Sequence, residues 1–102
     1  MTTTLTDDTG ASRFELHIDG ELAAFEDYTL DDGVISFDHT EALDGFEGTG
    51  AARQLAERIL DEARRRGLDV LPVCPYIASF IGKHPETYLD LVPADRRAGF
   101  GL

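Results

Sequence analysis

Asp44-Gly45-Phe46-Glu47-Gly48-Thr49-Gly50 runs straight into Ala51-Ala52 and a long amphipathic segment, and this junction constrains the fold more than any other stretch. Ala52, Leu55, Ala56, Ile59, Leu60 and Ala63 recur at helical spacing and share one apolar face. Arg64, Arg65 and Arg66 stand where the helix dipole favours cations, and Gly67 suits the position just past a helix C-terminus. Leu68-Asp69-Val70-Leu71-Pro72-Val73-Cys74 is apolar on both faces, as in a buried parallel strand. Pro72 implies that one side of that strand is locally unpaired. Joined to a strand before the loop, this helix and strand make a right-handed crossover.

Upstream, Phe14, Leu16 and Ile18 alternate with Glu15, His17 and Asp19, the pattern of a half-buried strand. Asp19-Gly20 is a hairpin signal. Leu22, Ala24, Tyr28 and Leu30 share one face of a longer second strand, with Glu26 interrupting it. Asp32-Gly33 marks another turn. A third strand, Val34 to Thr40, sets Ile35, Phe37 and His39 on one face. Past Cys74, Pro75 opens a second helix, Tyr76 to Lys83, that breaks near His84-Pro85. Tyr88, Leu89, Leu91 and Val92 form a short packing segment. The expected order is β-β-β-α-β-α, an α/β (α+β) fold in which an antiparallel meander joins one parallel crossover. One domain spans residues 13–92, residues 1–12 read as a disordered tail, and residues 93–102 read as a loose one.

With 102 residues the chain holds a modest core but not two. Its formal charge of −11, from 20 acidic residues against 9 Lys and Arg, argues against a nucleic-acid role, which needs a basic surface. An acidic field attracts cationic or amine-bearing partners. It also serves solubility or adaptation to salt. No apolar run is long enough for a bilayer, and one cysteine excludes an internal disulfide, so a cytoplasmic location is expected.

Gly48 and Gly50 let bare backbone approach a ligand, and the helix behind them presents unpaired N–H groups to the same place. That suits a phosphate or pyrophosphate. Two known phosphate loops do not fit. A Walker loop needs a lysine that is absent here, and the dinucleotide fingerprint needs glycine where Arg53 stands. Taken alone, Gly48-Thr49-Gly50 also reads as an ordinary loop entering a helix.

The wider chain resembles the core of the GNAT superfamily of acetyl-CoA-dependent N-acetyltransferases. More narrowly, His39-Thr40-Glu41, Phe46-Glu47-Gly48-Thr49-Gly50, Val73-Cys74-Pro75-Tyr76 and Lys83-His84-Pro85-Glu86 resemble the minimal single-domain GNAT-like family, from about Phe14 to Leu91. Gly45 stands at the first position of the full-size superfamily signature, a departure that leaves phosphate binding to the backbone. The resemblance implies that the amides of Glu47, Gly48, Thr49, Gly50, Ala51 and Ala52 hold the pyrophosphate of coenzyme A. It also implies that the end of the third strand, around His39 to Leu43 with Thr40 and Glu41 between them, pairs with the pantetheine arm, and that Phe46 belongs to the cofactor site. The thioester then sits where the third and fourth strands splay, near Cys74 and His39. The superfamily's first two helices and C-terminal hairpin have no counterpart, so the acceptor side is expected to be open, suiting a protein or peptide lysine. A weak homodimer would supply the missing wall; a monomer is the other expectation.

Acetyl transfer needs a neutral amine, a polarised thioester and a proton acceptor. Cys74, at a strand-to-helix handover, either accepts the acetyl group, protonates the leaving thiolate, or is an inert core thiol. His39 reads either as a base near the thioester or as a satisfied core histidine. Glu41 could act through water, and Tyr76 could flank the pantetheine. No His, Cys and carboxylate cluster has metal-ligand spacing, so no metal is expected. A noncatalytic coenzyme A-binding or protein-interaction module is the competing expectation, since fold does not fix function.

Overall fold

The structure, a computed structural model, describes residues 2–102. A mixed sheet runs β1-β2-β3-β4-β5 in chain order, antiparallel from β1 to β4 and parallel between β4 and β5. The strands are β1 (Thr3–Asp8), β2 (Arg13–Ile18), β3 (Glu21–Asp31), β4 (Val34–Ala42) and β5 (Asp69–Pro72). The helices are α1 (Ala51–Arg66), α2 (Pro75–Lys83) and α3 (Pro85–Tyr88), followed by 3-10 segments over Leu89–Leu91 and Ala94–Phe100. The fold class is the expected one, with one strand added at the front.

The hairpins form where the sequence places them. Asp19-Gly20 and Asp32-Gly33 each hold two successive residues at positive φ (51° and 86°, then 49° and 79°). That twist matches the right-handed twist of the flanking strands. Helix α1 crosses from β4 to β5 and lays Leu55, Ala56, Ile59, Leu60 and Ala63 on the sheet. Phe14, Leu16, Ala24, Tyr28, Ile35, Phe37 and Val70 answer from the strands. Gly67, at φ 71°, closes α1 by donating its N–H to Ala63 and Arg64 carbonyls.

Both tails depart from expectation. Residues 3–8, expected to be disordered, form β1, paired along its length with β2. Its β-branched threonines, Thr3, Thr4 and Thr6, favour a pleated backbone but contribute little apolar area, so the strand depends on tertiary contacts. Leu5 packs against the core. Asp7 accepts from the Tyr28 hydroxyl at 2.6 Å and from Arg66 at 2.9 Å. At the other end, Phe100 and Leu102 pack against the core, and Arg97 Nε donates to the Val92 carbonyl at 2.9 Å. Among the described residues no helix is long and apolar enough to cross a membrane.

Asp7→Ala strips a buried phenol and a half-buried guanidinium of their shared acceptor. It should lower unfolding free energy in urea by about 1–2 kcal/mol. An unchanged midpoint would mean that the Asp7 hydrogen bonds add nothing to the fold.

Candidate functional site

Strands β4 and β5 pair only from Val34↔Asp69 to Phe37↔Pro72, and the Cys74 amide then donates to the Phe37 carbonyl at 2.7 Å. Beyond that point β5 ends while β4 continues to Ala42. Residues Asp38 to Ala42 therefore have β3 on one side and no strand on the other. The glycine loop and the N-terminus of α1 follow immediately.

Three glycines shape that loop: Gly45, Gly48 and Gly50 have φ of 91°, 80° and 83°. The Phe46 and Thr49 amides are spent internally on the Leu43 and Phe46 carbonyls, and the Gly45 amide on the Glu47 carboxylate. The amides of Glu47, Gly48, Gly50, Ala51, Ala52 and Arg53 donate to no protein acceptor. No side chain caps α1, and its first turn carries no acidic residue. The loop thus keeps the backbone donors and dipole that an anion needs. Thr49 is the exception, since its N–H is already used.

Arg53 adds what the sequence reading missed. Its guanidinium lies close enough to Gly50 that a Cβ there would stand 3.4 Å from Nη2. A side-chain cation, paired through Nη1 with Glu57, therefore stands with its Nη2 side beside the backbone donors. The same residue lines a groove of about 230 Å³ with Glu57, Phe80, His84, Thr87 and Tyr88. Tyr76, half-exposed at the start of α2, feels the charges of Arg53 and Glu57, and burial raises its hydroxyl pKa.

A bulge decides which β4 side chains face inward. Asp27 pairs with His39 while Tyr28 pairs with Phe37, so Asp38 is an extra residue and the alternation slips by one. His39, expected beside Ile35 and Phe37, lies instead on the outer face. It is exposed, 3.3 Å from Glu41 and edge-on to the Phe25 ring. It does not meet Cys74. Glu41 shares that outer face, and Leu43 and Phe46 are half-buried at the loop entrance.

Thr40 takes the inward place. Its hydroxyl donates to Glu26 in a short hydrogen bond and lies 3.0 Å from Cys74 Sγ. Cys74 is buried at the N-cap of α2. Glu26 is fully buried, and its Oε2 has no hydrogen-bond partner. Burial pushes its pKa from 4.5 up to about 7, while Thr40 and His39 pull the other way. The only hint in the sequence is that Glu26 breaks the apolar face of its strand. No cluster of metal-ligating residues occurs among the described residues.

Comparison with known proteins agrees with the fold. A family model described as "GCN5-related N-acetyl-transferase" matches residues 13–91. The chain belongs to the GCN5-related N-acetyltransferase family. Among solved structures it is similar to an NMR structure from Staphylococcus aureus described as a "GCN5-like putative N-acetyltransferase". The TM-score is 0.62 at 22% identity, over 88% of this chain and 87% of that one. No curated protein matches. Within the GCN5-related fold, the two-residue turn at Asp19-Gly20 leaves no helix between β2 and β3.

Glu26 also makes stability depend on pH. A carboxyl held more tightly protonated in the folded chain stabilises the fold below about pH 4.5, and that contribution is lost as pH rises through about 7. The loss is on the order of 3 kcal/mol. Against Glu26→Gln, the wild type should lose about that much unfolding free energy in urea between pH 4.5 and 8. A constant difference across the window would show that the carboxyl ionises as freely in the folded chain as in the unfolded one.

Proposed function

We propose that this protein binds acetyl-CoA and transfers its acetyl group to a primary amine, with a lysine side chain as the acceptor class. The observation that carries this reading is the set of unpaired amides at Gly48 and Gly50 to Arg53, next to a strand edge left open where β4 outruns β5. Those amides and the Arg53 guanidinium suit a pyrophosphate. The edge at Asp38 to Ala42 offers main-chain pairing to an amide-bearing arm, in the manner of an added strand. Cys74 and Thr40 lie at the closed end of that edge, where a thioester would arrive. Backbone and guanidinium recognition needs no metal.

The acceptor chemistry follows from charge and access. Asp38, Glu41, Asp44 and Glu47 are exposed or half-exposed around β4 and the loop, a surface that attracts an ammonium group. No helix between β2 and β3 walls the acceptor side, which suits a lysine on a peptide or protein. Cys74 is the reactive group the site offers, and His39, on the outer face, is assigned no step.

Three variants test the assignment. Arg53→Ala should weaken coenzyme A binding about tenfold by calorimetry, about 1.4 kcal/mol. Cys74→Ala should keep that affinity and slow acetylation of a lysine peptide by about 100-fold. His39→Ala should stay within about twofold of wild type in both. Tight binding of acetyl-CoA without acetylation of any amine would favour a noncatalytic coenzyme A-binding module, and absence of binding would remove both readings.

A further inference from the structure

Glu26, Thr40 and Cys74 form a connected polar line inside an otherwise apolar core. A hydroxyl has one proton, and Thr40 gives its proton to Glu26 Oε1. When Glu26 is ionised, the 3.0 Å contact between Thr40 Oγ1 and Cys74 Sγ runs the other way, with the thiol donating. The line therefore has a direction: thiol to hydroxyl to carboxylate. An acid buried without a cationic partner is costly, and no salt bridge reaches Glu26 among the described residues. Its second oxygen makes no hydrogen bond at all. Packing does not explain a carboxyl here, because Ala24 and Tyr28, its neighbours on the same face of β3, are apolar or aromatic.

We propose that Glu26 is the positioning residue that takes the Cys74 proton through the Thr40 hydroxyl, so that the thiolate forms at the head of α2 as the acyl acceptor. The proposal rests on the acetyl-transfer reading above. The thiol proton passes to Thr40 Oγ1 as the Thr40 proton passes to Glu26 Oε1. Cys74 Sγ bonds to the acetyl carbonyl carbon, and the bond from that carbon to the coenzyme A sulfur breaks. The sulfur leaves with the electron pair and takes the proton back from Glu26 along the same line. A neutral amine then attacks acetyl-Cys74, the carbon–Sγ bond breaks, and the surplus amine proton returns to the thiolate by way of Glu26 and Thr40. The products are the acetylated amine and coenzyme A thiol, with Glu26 ionised again.

The groups able to tune this step are few. Asp27 lies beside Glu26 on β3, and His39 faces it through the sheet from β4. From the head of α2 comes Cys74. The buried face of α1 is wholly apolar. With a pKa of about 7, Glu26 changes protonation state near neutral pH, where proton transfer is most effective.

The test measures Cys74 alkylation by iodoacetamide against pH, followed by intact mass, because this needs no coenzyme A. In wild type the rate should rise through a step near pH 7, and His39→Ala should keep the step with a shifted midpoint. Glu26→Gln and Thr40→Val should lose the step and react at least tenfold more slowly at pH 8, and Thr40→Ser should restore both. An unchanged profile in Glu26→Gln overturns the proposal. Parallel coenzyme A titration separates the two readings. If the step behaves as stated but coenzyme A does not bind, the relay stands and the acetyl-transfer reading fails. If coenzyme A binds and all the profiles coincide, the reverse holds.

Discussion

The site exists because β5 stops at Pro72 while β4 runs on to Ala42. A proline ends the ladder, since it has no N–H to donate, and the following chain turns into α2 with Pro75 at its first position. The Cys74 amide makes the final bond to β4, at the Phe37 carbonyl. That single hydrogen bond anchors the thiol at the closed end of the splay. On the other side, the glycine loop turns β4 into α1 without using up the helix's leading amides. Strand edge, glycine turn and thiol thus come together from one crossover of fewer than fifty residues.

Around this opening the core supplies rigidity. α1 covers the sheet with an aliphatic face, and its basic end is tied to both termini of the domain. Arg66 reaches Asp7 on β1, while Arg64 pairs with Asp90 beyond α3. Exposed pairs of this kind are each worth little. The Asp7 network is more consequential because Asp7 also receives the buried Tyr28 hydroxyl. Glu26 works in the opposite direction, weakening the fold at neutral pH. Such a local conflict between stability and composition is characteristic of functional positions.

Much of this is legible in the sequence. Period-two alternation marked β2 to β4, helical spacing marked α1, and paired glycines marked the loop. What stayed hidden shares one cause: long-range contacts overrode local pattern. β1 has a single large apolar residue, Leu5, so its composition resembled a tail. The C-terminal segment is rich in charge and glycine, and only Phe100 and Leu102 hold it to the core. The bulge at Asp38 leaves no signature in composition, yet it exchanged His39 for Thr40 at the inner face. Glu26 was visible as an interruption, but its role depends on Thr40, fourteen residues away, and on Cys74, on another element.

A crystal grown with acetyl-CoA tests the central claim most directly. The account predicts diphosphate oxygens within hydrogen-bond distance of the Gly48 and Gly50–Arg53 amides. It also predicts pantetheine amides paired to the free edge of β4, and the thioester carbon in contact with Cys74 Sγ. A cofactor bound elsewhere, or one that leaves the edge from Asp38 to Ala42 unpaired and the thioester remote from Cys74, would contradict it.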